Sequence, residues 1–178
     1  MDEKKQKQVE MHTDFFDRCK FAIDNQFYYE AILMEYAAIE ARLEVICGIV
    51  GFPCSKECDF RDKIQISHRI ECLRAYRRAN PVIFEKTKLA KNFFTDNGEL
   101  NSWIKSRNGY VHGLYKDEIK YRGRVAAIKN LAQDGLEYSR LLYNEAKRLR
   151  RIMQYHPEAL SNAVIKCKSK KCIAFEGI

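Results

Sequence analysis

The sequence contains few of the residues that interrupt regular structure. Only 3 prolines and 8 glycines occur in 178 residues, whereas 46% of the residues are hydrophobic and 12% are aromatic. A disordered chain has fewer apolar side chains, and a β architecture with many tight turns needs more glycine and proline. The composition therefore predicts a single folded domain with a substantial core, and not a β protein or a disordered chain.

Long hydrophobic runs are also missing. The longest apolar stretches are shorter than the roughly 20 residues that a membrane-spanning helix needs, and each contains Glu, Arg or Lys. The first ten residues are charged and polar, which differs from the basic stub and apolar run of a secretory signal. We therefore expect a cytoplasmic protein with no membrane contact.

The seven cysteines are odd in number, so they cannot all pair within one chain. Disulfides are in any case rare in the reducing cytoplasm. Cys19, Cys47 and Cys72 fall at apolar positions of predicted helices, where a thiol packs as a small hydrophobic group. We therefore expect these three cysteines to pack as apolar side chains.

Four other cysteines lie in turn-like or basic segments. Cys54 and Cys58 are separated by three residues, and Cys167 and Cys172 by four. Together they could supply four thiolates to a structural zinc ion, but neither spacing is the two-residue spacing of a zinc knuckle. Unlinked cysteines are the favoured interpretation, so we predict no metal and no other cofactor.

Hydrophobic spacing predicts an all-α fold, a bundle of about five helices. Thr13 is expected to cap the first helix. The clearest pattern lies between Phe27 and Val50, where apolar residues recur at intervals of three and four positions, as the buried face of a helix requires. These residues are Ile32, Tyr36, Ile39, Leu43, Ile46 and Val50.

The remaining helices are predicted from the same spacing. A third helix is expected over residues 60–79, with Ile66, Ile70 and Leu73 inward, and a fourth segment over residues 81–94. Leu100, Trp103, Ile104 and Arg107 then follow at helical intervals. The last stretch, residues 115–155, would measure roughly 60 Å as one helix, so we expect a break near Gly123 or Gly135.

The net charge is +8, from 32 Lys and Arg against 24 Asp and Glu. This balance favours binding to polyanions through phosphate contacts, although a solvated basic surface is the alternative interpretation. The basic residues crowd into residues 147–151 and 166–171. We divide the chain into a polar arm (1–11), a helical domain (12–156) and a basic tail (157–178).

The pattern that carries chemistry is Arg-Asn-Gly-Tyr-Val-His at residues 107–112. Metal-free cleavage of RNA needs a base for the 2′-hydroxyl, an acid for the leaving 5′-oxygen and positive charge beside the phosphorane. His112 can carry the proton near neutral pH, Arg107 offers a fork of donors to phosphate oxygens, and Asn108 can position either group. These residues suffice for a transesterification that leaves a 2′,3′-cyclic phosphate.

The spacing of the arginine and the histidine leaves their geometry open. On a regular helix, residues five positions apart point about 140° apart. Arg107 and His112 converge only if the helix bends or ends near Gly109, or if they meet across a dimer interface. A surface arginine and a capping histidine at a helix end are the alternative.

Residues 106–114, Ser-Arg-Asn-Gly-Tyr-Val-His-Gly-Leu, resemble the signature of the HEPN superfamily, an Arg and a His separated by four to six residues with a polar residue after the Arg. The resemblance extends over residues 12–155, although only these nine residues are specific. It implies a helical bundle that dimerises and brings two motifs into one cleft. It also implies a metal-independent endoribonuclease of the kind found in toxin–antitoxin, abortive-infection and CRISPR-associated systems, with His112 as general base or acid, Arg107 on the scissile phosphate and Asn108 orienting both.

The expected partners are therefore RNA and a second copy of the chain. We predict that RNA is contacted by Lys105, Tyr110, Tyr115, Arg148 and Arg151. Trp103 is expected to pack in the core. The rival hypotheses are a non-catalytic HEPN module that binds nucleotide, RNA or a protein, and a helical adaptor in which the motif is fortuitous.

A nucleotidyltransferase or other antitoxin partner stays an open alternative. In HEPN toxins with such a partner, a tyrosine that is modified stands two positions after the motif histidine. Leu114 occupies that position here, and Tyr115 follows it.

Overall fold

The computed structural model describes residues 3–49, 69–70, 73, 98–113 and 124–155, with side chains from residue 13 onward. Four long helices account for most of them: α1 (Glu3–Asp24), α2 (Tyr28–Ile49), α3 (Glu99–Gly113) and α4 (Val125–Tyr155). No strand occurs in these ranges, so the all-α prediction is confirmed for the described part of the chain.

Several predictions from the sequence fall outside the described residues. The helix expected over residues 60–79 is described at residues 69, 70 and 73, all helical, and Ile70 and Leu73 are buried as expected. The segment 81–94, the tail 157–178 and the cysteines Cys54, Cys58, Cys72, Cys167 and Cys172 lie outside the described set.

Helix α1 begins at Glu3, ten residues before the expected cap. Thr13 therefore lies inside the helix, and the prediction that it caps α1 was wrong. The preceding residues include Glu, Lys and Gln, which favour helices, and they contain no glycine or proline, so nothing in them ends the helix. At its other end α1 closes in a tight turn, in which Gln26 has a φ of 66° and Phe27 N–H donates to the carbonyl of Ala22.

Helix α2 confirms the clearest pattern in the sequence. Ile32, Ile39, Leu43 and Ile46 are completely buried. Tyr36 departs from that pattern, because its side chain is only partly buried.

The chain divides into two compact units. The first unit comprises Met1–Ala38 and Trp103–Ser139, and the second comprises Ile39–Ser102 and Arg140–Ile178. Helices α2, α3 and α4 each contribute residues to both. The motif at residues 107–112 belongs to the first unit, and the basic residues 147–151 belong to the second.

Each unit has its own buried apolar residues. Those of the first unit include Cys19 and Ala22 from α1, Ile32 from α2, Trp103 from α3 and Ile128 from α4. Those of the second unit include Leu43, Cys47, Leu73, Leu100, Leu142 and Leu149. Cys19 and Cys47 are buried, which confirms their assignment to apolar helix positions.

Helix α4 runs for 31 residues without interruption, a length of about 46 Å at 1.5 Å per residue. It begins two residues after Gly123, one of the two places where a break was expected. A break at the alternative place, Gly135, does not occur, because that glycine is buried inside the helix. None of the helices in the described ranges is both long and apolar enough to cross a membrane.

Candidate functional site

Helix α3 carries the whole motif. Gly98 precedes the helix, and its carbonyl accepts the N–H of Ser102. Leu100 and Trp103 are buried and fix the orientation of the helix. Arg107 lies one turn after Trp103 and therefore on the same side of α3. The anchoring tryptophan thus directs the arginine toward the interior of the first unit.

The Arg107 guanidinium is held on one face and at one edge. Its central carbon lies 4.0 Å from the centroid of the Tyr36 ring on α2. Its Nη1 donates to Oδ1 of Asn108 at 2.9 Å. Such a contact between a cation and an aromatic face contributes about 0.5–2 kcal/mol, depending on how far it is shielded from water. The sequence placed Asn108 beside Arg107, and the structure joins the two directly.

The Nε atom of Arg107 is buried and has no hydrogen-bond partner among the described residues. A buried donor without an acceptor costs about 1–3 kcal/mol. The atom therefore marks a position where an acceptor oxygen is favoured.

His112 lies in the last turn of α3 and is exposed. The helix continues through Gly109 to Gly113, so the condition that it ends near Gly109 is not met. Within the described residues, no hydrogen bond or ion pair joins His112 to Arg107. The regular five-residue separation directs the two side chains about 140° apart. Helix α3 of a single copy therefore does not bring the two side chains together.

The residues predicted to contact RNA differ in their exposure and in the unit to which they belong. Lys105 is exposed and Tyr110 is partly exposed, and both lie on α3. Arg151 is exposed on α4 in the second unit. Tyr115 lies outside the described residues.

Arg148 is engaged within the protein. Its Nε and Nη2 donate to the two carboxylate oxygens of Glu145, at 2.8 and 2.6 Å. The Glu145 side chain is 2% exposed, whereas that of Arg148 is 31% exposed. This bidentate pair keeps a buried carboxylate compensated, so Arg148 has a structural contact that the sequence pattern did not predict.

Sequence reasoning also missed a second buried acid, Glu35. It lies on α2 and is completely buried, and neither carboxylate oxygen has a hydrogen-bond partner among the described residues. The signal was present in the sequence, because Glu35 stands three residues after Ile32 and four before Ile39. An acidic residue on the apolar face of a helix indicates a carboxyl group that is buried among apolar side chains.

The surroundings of Glu35 keep it neutral. Burial, and to a smaller extent the negative charge of Asp134 on α4, raise its pKa to about 9. The Glu35 carboxyl and the Trp103 ring lie against Gly135, so close that a Cβ on that residue would be 2.7 Å from Cζ2 of the tryptophan. Glu35 is therefore a protonated acid at neutral pH, and it lies where α2 meets Trp103 of α3 and Gly135 of α4.

Two further polar groups in the first unit are buried. Burial, and to a smaller extent the negative charge of Glu35, raise the pKa of the Cys19 thiol to about 12. The Ser139 hydroxyl, one turn after Gly135, is buried without a hydrogen-bond partner in the described set. Among the described residues, the interior of this unit thus contains neutral polar groups.

Metal chemistry has no candidate among the described residues. They contain no group of three or more His, Cys, Asp or Glu side chains that could hold a metal ion. The cysteines proposed as zinc ligands are outside this set, so that hypothesis stays untested.

Comparison with protein-family models, with curated proteins and with solved structures found no match. Membership of the HEPN superfamily therefore stays a prediction from residues 106–114 and their place on α3.

Proposed function

We propose that this protein is a metal-independent endoribonuclease of the HEPN type that acts as a homodimer. The observation that carries the proposal is the organised pair of Arg107 and Asn108, whose guanidinium and amide are joined on a motif-bearing helix. An arginine held in a defined orientation is suited to a phosphate group, because its planar fork matches two phosphate oxygens.

Each of the three motif residues has its own role in RNA cleavage. His112 takes the proton of the ribose 2′-hydroxyl or delivers one to the leaving 5′-oxygen. Arg107 stabilises the negative charge that develops on the phosphorane, and Asn108 holds the guanidinium. The products are a 2′,3′-cyclic phosphate and a 5′-hydroxyl.

The dimer is part of the proposal because of the helix geometry. Arg107 and His112 diverge on the unbroken α3, so an active site needs Arg107 of one copy and His112 of the other in one cleft. Lys105 and Tyr110 lie on the same helix and extend the RNA-binding surface, by phosphate contact and base stacking respectively. Arg151, an exposed cation of the second unit, is a separate proposed RNA contact. The proposed setting is a toxin or antiviral defence system.

The test is cleavage of a single-stranded RNA in EDTA, with identification of the product termini. We expect cyclic phosphate ends from the wild type and loss of cleavage in His112→Ala and in Arg107→Ala. Lys129→Ala, at an exposed position of α4, is the matched control and should cleave normally. Full activity in a folded His112→Ala variant would contradict the proposal.

A non-catalytic HEPN module that binds RNA, nucleotide or a protein is the second candidate. It is favoured by the difference between Arg107, which is held by two neighbours, and His112, which is exposed and unattached among the described residues. Binding and cleavage assays on the same purified protein distinguish the ribonuclease from the binding module. A binding module retains salt-sensitive RNA binding that Arg107→Ala weakens, yet yields no cleavage products.

A further inference from the structure

We infer that Tyr36 is a positioning residue for Arg107, and that its ring holds the guanidinium in the orientation that presents the remaining donors to a phosphodiester. The inference rests on the proposed function for the identity of the ligand. The positioning itself rests on the contact between the two side chains.

The position of the Tyr36 ring is itself determined by burial. Ile32 precedes it by four residues and Ile39 follows it by three, and both are completely buried. These neighbours fix the rotation of α2 about its axis, so the partly exposed ring stands at the margin of the buried face. Arg107 lies over that ring with 4.0 Å between its central carbon and the centroid.

Two restraints then define the plane of the guanidinium. Tyr36 covers one face, and Asn108 accepts from Nη1 at one edge. The donors left are the second N–H of Nη1 and those of Nε and Nη2, and neither Nε nor Nη2 hydrogen-bonds to a described residue. These two nitrogens form the edge that binds two oxygens of a phosphate at once.

The buried state of Nε strengthens the argument. An uncompensated donor in a site of low dielectric interacts strongly with an anionic acceptor when one arrives. An arginine that was only a structural cation would be expected to have an acceptor at this atom, as Arg148 has in Glu145. Arg107 instead has a ring and an amide that orient it without neutralising it.

A second cation–ring pair in the protein provides a matched control. The Arg42 guanidinium carbon lies 5.2 Å from the centroid of the Tyr143 ring, in the second unit. Burial lowers the pKa of Arg42. Removing the Tyr143 ring therefore removes the same type of contact from a residue outside the motif.

The experiment compares Tyr36→Phe, Tyr36→Leu and Tyr143→Leu. Phenylalanine keeps the aromatic face, whereas leucine removes it. We expect Tyr36→Leu to weaken binding of a non-cleavable 2′-deoxy oligonucleotide by about three- to tenfold. Tyr36→Phe and Tyr143→Leu should remain near the wild type, and circular dichroism should show that all three are folded.

The second readout is the Arg107 Nε–H signal in a nitrogen-resolved NMR spectrum of the full-length protein. In the wild type and Tyr36→Phe, the ring should shift this proton upfield and slow its exchange with water. Tyr36→Leu should remove both effects. The wild-type spectrum alone tests the contact if the leucine variant fails to fold.

The outcomes separate the two proposals. Unchanged binding together with an unchanged Nε–H signal in Tyr36→Leu overturns the positioning role, whatever the cleavage assay shows. Absence of cleavage in the wild type overturns the ribonuclease proposal, whereas a ring-dependent Nε–H signal and ring-dependent binding would still support the positioning role.

Discussion

Trp103 donates its indole N–H to the main-chain carbonyl of Leu131, with 2.7 Å between the nitrogen and the oxygen. In a regular helix that carbonyl already accepts the N–H of Gly135, so the tryptophan adds a second bond to it. Gly135 has no side chain to obstruct this approach. The Trp103 ring also lies edge-on to Tyr138, with centroids 6.3 Å apart. The contact connects α3, which carries Arg107, to α4.

Gly135→Ala should therefore destabilise the protein. An added Cβ would lie 2.7 Å from Cζ2 of Trp103 and 3.0 Å from Cδ of Glu35, so α3 or α2 must shift. We expect a loss of about 1–3 kcal/mol in the free energy of unfolding, which is the usual range for overpacking. Urea unfolding followed by tryptophan fluorescence measures it, since Trp103 is the one tryptophan in the sequence.

Gly109→Ala is the matched control for this change. A Cβ at Gly109 would meet nothing within 4 Å, and the residue is exposed inside α3. Removing a glycine from a helix interior stabilises by about 0.5–1 kcal/mol, so this variant should unfold at higher urea. Equal destabilisation of both variants would show that the Trp103–Gly135 contact is not the cause.

The stability of the protein should decrease as pH rises from about 5 to 9. Burial raises the pKa of Glu35 from its usual 4.5 to about 9, so the folded state keeps a proton that the unfolded state loses across this interval. The contribution of Glu35 to stability is therefore fully present below pH 4.5 and is lost as pH approaches 9. One such proton gives a limiting slope of ~1.4 kcal/mol per pH unit.

Glu35→Gln tests this dependence, because the amide does not ionise. Urea unfolding at a series of pH values should give a flatter profile for the variant and a higher midpoint than the wild type at pH 8. Glu30→Gln, at an exposed position of α2, should keep the wild-type slope. Parallel profiles for the wild type and Glu35→Gln would refute the buried neutral state of Glu35.

Arg148→Ala should destabilise the protein by about 1–3 kcal/mol, because it leaves the buried Glu145 carboxylate without its bidentate partner. Arg151→Ala, an exposed cation three residues further along α4, should change stability by no more than about 0.5 kcal/mol. Thermal unfolding of both variants checks the difference. If the two melted alike, the Glu145 contact would have no role in stability, and RNA-binding measurements on Arg148→Ala could be interpreted directly.

The sequence alone was sufficient to predict the features that depend on a single helix. The spacing of Ile32, Ile39 and Leu43 predicts a buried face, because side chains three and four positions apart project from the same side of a helix. The same reasoning placed Trp103 in the core. It failed at Thr13, where a good cap residue lies inside a helix that strong helix formers begin earlier.

Contacts between helices were decided only by the tertiary structure. The sequence by itself determined the helical class of the described residues and the place of Arg107, Asn108 and His112 on one segment, since local periodicity and residue chemistry do not depend on neighbouring helices. Only packing placed Tyr36 beneath the Arg107 guanidinium and Glu35 against Gly135. A sequence pattern identifies the faces of each helix, but which faces meet depends on how side chains from different helices fill the same space.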